Sequence, residues 1–182
     1  IKVVIPSNPA DAKGLLKAAI RSDDPVLYFE HKVLFPMKGP VPEGEHIVPI
    51  GKANVARQGR DVTIVSYSLT MHRALEAAEK LAVDGIQAEC IDLRTISPID
   101  KETIFESLKK TKRLVIAHEA VKQGGVGAEI SALVAEEMID YLDAPIRRIG
   151  APFVPVPFST SLEKLVKISA DDIVKVVKEI CR

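Results

Sequence analysis

Residues 113–130 read R-L-V-I-A-H-E-A-V-K-Q-G-G-V-G-A-E-I, and the class of fold follows from them. Leu114 to Ala117 is a short apolar run of the kind that forms a strand buried on both faces. His118, Glu119, Lys122 and Gln123 form a polar cluster where that strand should end. Gly124, Gly125 and Gly127 allow a tight turn. A helical pattern follows at once: Ile130, Leu133, Val134, Glu137, Met138, Tyr141. Strand, glycine turn and helix make half of a βαβ unit, and in open α/β sheets ligands and partners sit off the carboxyl ends of the strands. The spacing is G-G-x-G with no Lys-Ser/Thr behind it, so neither a dinucleotide nor a P-loop fingerprint is present. The glycines serve either close packing or an anion site at the helix N-terminus.

Outward from this stretch, strands and helices alternate. Ile1–Ile5, Val26–Phe29, Val62–Tyr67, Ala88–Leu93 and Ile146–Ile149 read as strands. Asn8 is a suitable N-cap for a helix with Pro9 at its first position and Leu15, Leu16, Ala19 and Ile20 at helical spacing. Met71, Ala74, Leu75, Ala78, Leu81 and Ala82 mark a second helix, capped by Ser68 or Thr70. Ser97-Pro98-Ile99-Asp100 reads as a capping box, with proline first in the helix that carries Ile104, Phe105 and Leu108. Ile173, Val176, Val177 and Ile180 close the chain on a helix. Pro36 to Pro49, with four prolines and two glycines, reads as a surface linker. The expected fold is α/β, with a mainly parallel, doubly wound sheet.

Lys plus Arg and Asp plus Glu number 25 each, so the formal net charge is zero. No basic excess points to nucleic acid. No apolar run approaches a membrane span, and no leader is recognisable, so a cytoplasmic protein is expected. Cys90 and Cys181 show no ligand or redox spacing. The chain opens at Ile1, directly in what reads as an interior strand, and is expected to be a fragment.

His31 and His118 lie at predicted strand ends, His46 in the linker and His72 near a helix start. No G-x-S-x-G or H-E-x-x-H accompanies them. Glu30-His31 and His118-Glu119 each set a carboxylate beside an imidazole, but neighbours along a strand point to opposite faces, so neither is an acid–base pair. Arg94, at a strand's carboxyl end, suits either a clamp on a phosphate, carboxylate or neighbouring subunit, or an intrachain salt bridge.

Ile91-Asp92-Leu93-Arg94-Thr95-Ile96-Ser97-Pro98-Ile99-Asp100 resembles the D-L-R-T-I-x-P-x-D signature of the E1 β-subunits of 2-oxo acid dehydrogenase complexes. These are thiamin-diphosphate enzymes of the transketolase superfamily, with pyruvate, branched-chain and acetoin members. Asp11-Ala12-Lys13-Gly14-Leu15, Ala19-Ile20-Arg21, Gly51-Lys52-Ala53, His118-Glu119-Ala120 and Gly125-Val126-Gly127-Ala128-Glu129-Ile130 match in the same order.

The resemblance implies that residues 1–35 are the last part of a pyrimidine-binding domain, 36–49 a linker and 50–182 a transketolase C-terminal domain. It implies a complete enzyme with thiamin diphosphate and magnesium, the diphosphate and the metal being held by the α-subunit. The family's catalytic glutamate and active-site histidine belong to an earlier part, so no catalytic or cofactor-binding residue is expected here. Members with a structural potassium ion hold it at A-I-x-D-x-N. The corresponding residues are Ala19, Ile20, Ser22 and Asp24, with Ser22 in place of the acid and Asp24 in place of the asparagine. Implied partners are an E1 α-subunit, a second β-subunit and the binding domain of the E2 acyltransferase. Asp143 and Arg182 are the expected contacts for E2. Implied location is the cytoplasm, or the mitochondrial matrix in a eukaryote. The implied reaction is oxidative decarboxylation of a 2-oxo acid, or acetoin cleavage, with acyl transfer to lipoyl-E2. The alternative is a non-catalytic module that pairs E1 subunits and recruits E2.

Overall fold

The computed structural model describes residues 1–181. Two sheets share the chain. Strand β1 (Lys2–Val4) pairs in parallel with β2 (Val26–Tyr28) and antiparallel with β6 (Thr95–Ser97), giving the order β2-β1-β6. The larger sheet has the order β3-β5-β4-β7-β8, with β3 (Asn54–Arg57), β4 (Val62–Ser66), β5 (Ala88–Asp92), β7 (Leu114–Val121) and β8 (Arg147–Ala151). Only β3 runs antiparallel in it.

Strand alternation builds the core on both faces of the larger sheet. Ile64, Val115 and Ala117 point to one side and meet α2 (Ser68–Val83) and α6 (Ala170–Ile180) through Met71, Ala74, Leu81, Ile173 and Val177. Val65, Leu114 and Ile116 point to the other side. They meet α3 (Lys101–Thr111) and α4 (Val126–Glu137) through Ile104, Leu108, Ile130 and Val134. The doubly wound, mainly parallel sheet is therefore as expected. A third, small cluster of Val4, Leu15 and Val48 packs α1 (Pro9–Ile20) onto the short sheet.

Local readings differ in several places. The predicted capping box at Ser97 is not the start of α3: Asp100 is the cap, and its carboxylate accepts from the Thr103 N–H at 3.3 Å, the Thr103 hydroxyl at 2.8 Å and the Ala53 N–H at 2.9 Å. Thr95–Ser97 belongs to the antiparallel strand β6, so its backbone is already committed to pairing with β1. Helix α2 begins behind Tyr67 with no side-chain cap, not with a Ser68 or Thr70 cap. Strand β7 runs four residues beyond Ala117, and β3, β6 and α5 (Thr160–Val166) are too short to announce themselves by periodicity. Residues 36–49 carry neither α-helix nor strand.

Candidate functional site at the seam between the two sheets

Polar side chains gather where the end of β1 and the start of α1 meet the carboxyl ends of β5 and β7. Asn8 caps α1: its Oδ1 accepts the Asp11 N–H at 2.9 Å, and its amide donates to Asp11 Oδ2 at 2.7 Å. That fixes Asp11, which is 1% exposed. Arg94 grips the carboxylate with both arms, Nε at 2.9 Å from Oδ2 and Nη2 at 2.6 Å from Oδ1. The planar guanidinium matches a carboxylate in this geometry, which Lys would not. Arg94 sits at φ 57, in the left-handed region, and its carbonyl accepts the Ile5 N–H at 2.8 Å. Of the two roles open to Arg94, the intrachain salt bridge is the one formed.

Asp92 lies beside this pair, 2% exposed. Loss of water around it pushes its pKa up to about 7, against the help of the Arg94 backbone N–H at 3.2 Å. On the neighbouring helix, His72 Nε2 donates to the Ser7 carbonyl at 2.7 Å. A cavity of about 290 Å³ opens next to these groups, lined among others by Ser7, Asn8, Glu30, His31, Leu34 and Phe35.

His31 closes one wall of the cavity. Its Nδ1 accepts the Val33 N–H at 3.2 Å, so the ring proton is on Nε2, which donates to Glu119 Oε2 at 2.8 Å. The two residues are 88 positions apart. Neither local pair, Glu30-His31 or His118-Glu119, is formed, in keeping with the alternation of strand side chains. Glu119 points out towards His31, whereas His118 points in and is fully buried. His118 Nδ1 donates to the Ala120 carbonyl at 2.9 Å, its Nε2 has no partner, and the ring stacks on Tyr67 with centroids 6.1 Å apart. Burial lowers the His118 pKa, which keeps the imidazole neutral. A Cβ on Gly125 would come within 2.8 Å of His118 Cε1, and one on Gly127 within 2.7 Å of Nε2. The glycines make room for this ring, which is the packing alternative.

The expected cation residues lie at the opposite end of α1. The Ala19 carbonyl accepts the Ser22 N–H at 3.2 Å. Ser22 Oγ accepts from Lys2 Nζ at 3.0 Å and from the Asp24 N–H at 3.2 Å. Lys2 Nζ also stands 3.0 Å from Asp24 Oδ2. Asp143 is exposed, its N–H bonded to the Lys112 carbonyl at 2.9 Å. Arg182 lies outside the described residues. Among the described residues no group of three or more His, Cys, Asp or Glu is placed to hold a metal ion. Among the described residues no helix is long and apolar enough to cross a membrane. Sequence reasoning marked His31 and Glu119 separately as polar ends of strands but did not join them, and it missed Asp11 as the partner of Arg94. The signal for Asp11 was an acid in the first turn of a helix followed by apolar positions.

Residues 51–173 match the model of the transketolase C-terminal domain family. The chain belongs to this family. It is 44% identical over 182 residues to the 2-oxoisovalerate dehydrogenase subunit beta of Bacillus subtilis (strain 168), covering 99% of the chain and 56% of that protein. It is 49% identical over 180 residues to the acetoin:2,6-dichlorophenolindophenol oxidoreductase subunit beta of the same organism, covering 99% and 53%. It is 50% identical over 184 residues to the mitochondrial pyruvate dehydrogenase E1 component subunit beta of Dictyostelium discoideum, covering 99% and 52%. The chain thus spans about half the length of these relatives. The resemblance to E1 β-subunits read from the Asp92-Leu93-Arg94 stretch is borne out. Among solved structures, a split gene transketolase described as an inactive beta4 tetramer superposes with a TM-score of 0.80 at 29% identity, over 99% of this chain and 57% of that one. A transketolase from Pichia stipitis shares the fold, with a TM-score of 0.64 at 17% identity over 99% of this chain and 25% of that one.

Proposed function

We propose that this chain is the C-terminal part of the β-subunit of a thiamin-diphosphate-dependent 2-oxo acid dehydrogenase E1 component, acting on a 2-oxo acid or acetoin and passing the acyl group to lipoyl-E2. The observation that carries this reading is identity of 44% to 50% along nearly the whole chain to proteins named as β-subunits of such enzymes. The short sheet supports it. Strand β2 has a free edge, and Ile1, Ile20, Leu27 and Phe29 are exposed around it, as expected of the last strands of a larger pyrimidine-binding domain.

The described residues do not fit thiamin diphosphate and its magnesium. No acid or histidine cluster would take the metal, and no glycine-rich phosphate loop is present. The cofactor and the chemistry it supplies belong to other parts of the enzyme. The contribution of this chain is assembly: the Asp11–Arg94 clamp holds the short sheet against the C-terminal domain. The free faces meet an α-subunit, a second β-subunit and the E2 binding domain, with the exposed Asp143 as a contact for a basic E2 surface and the positive charge of Arg182 weakening the acidic patch there. The setting is the cytoplasm of a bacterium or the mitochondrial matrix of a eukaryote.

The test is turnover of the full-length protein co-expressed with an α-subunit, with thiamin diphosphate and magnesium. Release of carbon dioxide from a 2-oxo acid, or cleavage of acetoin, is expected. A complex that assembles and binds E2 but never turns over either substrate overturns the enzyme reading in favour of a non-catalytic assembly module.

A further inference from the structure

We infer that the ammonium group of Lys2 takes the place of a free monovalent cation at the carboxyl end of α1, so that the potassium ion expected at Ala19, Ile20, Ser22 and Asp24 is not required by this chain. The C-terminal end of a helix carries partial negative charge, and here two further acids, Asp23 and Asp24, follow it directly. A cation is therefore favoured there. Lys17 and Arg21, the other cations at this end of the helix, are both engaged with Glu45. Lys2 arrives from the adjacent strand. Its backbone N–H donates to the Pro25 carbonyl at 3.0 Å, and Lys2 stands in register with Val26, so its stem is held directly over the turn.

Two of the side-chain oxygens that a potassium ion would need, Ser22 Oγ and Asp24 Oδ2, already face an ammonium. Lys2 Nζ lies 3.0 Å from Ser22 Oγ and 3.0 Å from Asp24 Oδ2, and the Ala19 carbonyl faces the Ser22 N–H. The open cavity of about 380 Å³ at this turn is lined by Lys2 and Arg21 as well as by Ser22, Asp23 and Asp24. A free cation entering it would meet the Lys2 ammonium already seated on Ser22 and Asp24. A tethered ammonium also has little translational freedom to lose, whereas a free ion gives up all of its own. Lys2 accordingly holds the Asp24 carboxyl below the usual carboxylate range, through its hydrogen bond and its charge.

The test is thermal unfolding of the purified full-length protein as potassium chloride replaces choline chloride at constant ionic strength. The readout involves no catalysis, so its outcome is separate from that of the enzyme reading. The wild type is expected to show a flat melting temperature. Lys2→Met, which keeps the stem and removes the charge, is expected to melt about 2 °C lower in choline and to recover with potassium. Lys2→Arg is expected to stay flat. A melting temperature of the wild type that rises saturably with potassium overturns the inference, as does a Lys2→Met variant indifferent to potassium. Should Lys2→Met fail to fold, the wild type and Lys2→Arg decide alone: flat in both supports the substitution, and a rise in either refutes it.

Discussion

An ion pair stands near each end of helix α1, one on its first turn and one on the turn that follows it, and the two differ in kind. At the N-terminal end, Asp11 and Arg94 are bidentate, with side chains 2% and 19% exposed. At the C-terminal end, Asp24 and Lys2 meet by one contact, with side chains 66% and 34% exposed. Between these extremes stand His31 and Glu119, at 24% and 40%. Distances are similar in all three, and the two pairs of fixed charges differ chiefly in exposure, so water decides what each is worth. An exposed pair exchanges good hydration for a modest attraction. A buried pair cannot return to water when one partner is lost, and the remaining charge bears the full penalty. The seam is therefore the brittle end of this helix.

Arg94→Met tests the contrast hardest. It leaves the Asp11 carboxylate buried with Asn8 as its remaining side-chain partner, and a loss of about 3–5 kcal/mol in urea unfolding is expected. A loss below about 1 kcal/mol would mean that Asp11 hydrates freely, and the distinction between the two ends of α1 would collapse.

The second effect is on pH. Asp92 titrates near about 7 in the folded chain and near about 4 when unfolded. Between those values the folded state holds a proton that the unfolded state has lost. The contribution of Asp92 is thus complete below pH of about 4 and falls away as pH rises to about 7, by on the order of a few kcal/mol. Asp92→Asn should flatten this limb of the stability profile; an unchanged slope would place the proton elsewhere.

Glu119→Gln keeps the shape of the middle pair and weakens its hydrogen bond. About 0.5–1.5 kcal/mol is expected, read from the same unfolding curves. A loss as large as that of Arg94→Met would show that the wall of the cavity, rather than the Asp11 clamp, holds the seam.

Asp24→Asn should cost least, below about 1 kcal/mol, and less still in high salt. A cost matching Arg94→Met at any salt concentration would remove burial as the explanation for the difference.

Leu114–Ala117, the glycine turn and the spacing of Ile130 and Val134 announced a buried parallel strand and its helix, because a strand covered on both faces must be apolar throughout. The helices around Leu81 and Ile173 were legible for the related reason that one apolar stripe repeats at helical spacing. Strand β6 was not legible. Thr95, Ile96 and Ser97 carry no long pattern and become a strand only because β1 lies alongside. The same pairing displaces the start of α3 to Asp100.

Local order thus came from the sequence: the longer strands and helices in their order, the two-faced core and the glycine turn before α4. Nearly half-identical relatives along the same chain agree with that reading. What only the tertiary structure decided is which charges meet. Arg94 finds Asp11 across 83 residues and His31 finds Glu119 across 88, each at a strand or helix end that sequence spacing cannot bring together. Periodicity records which side a residue faces, because burial acts on each residue separately. A partner across the fold is set by how two sheets dock, and that depends on the packing of the whole chain.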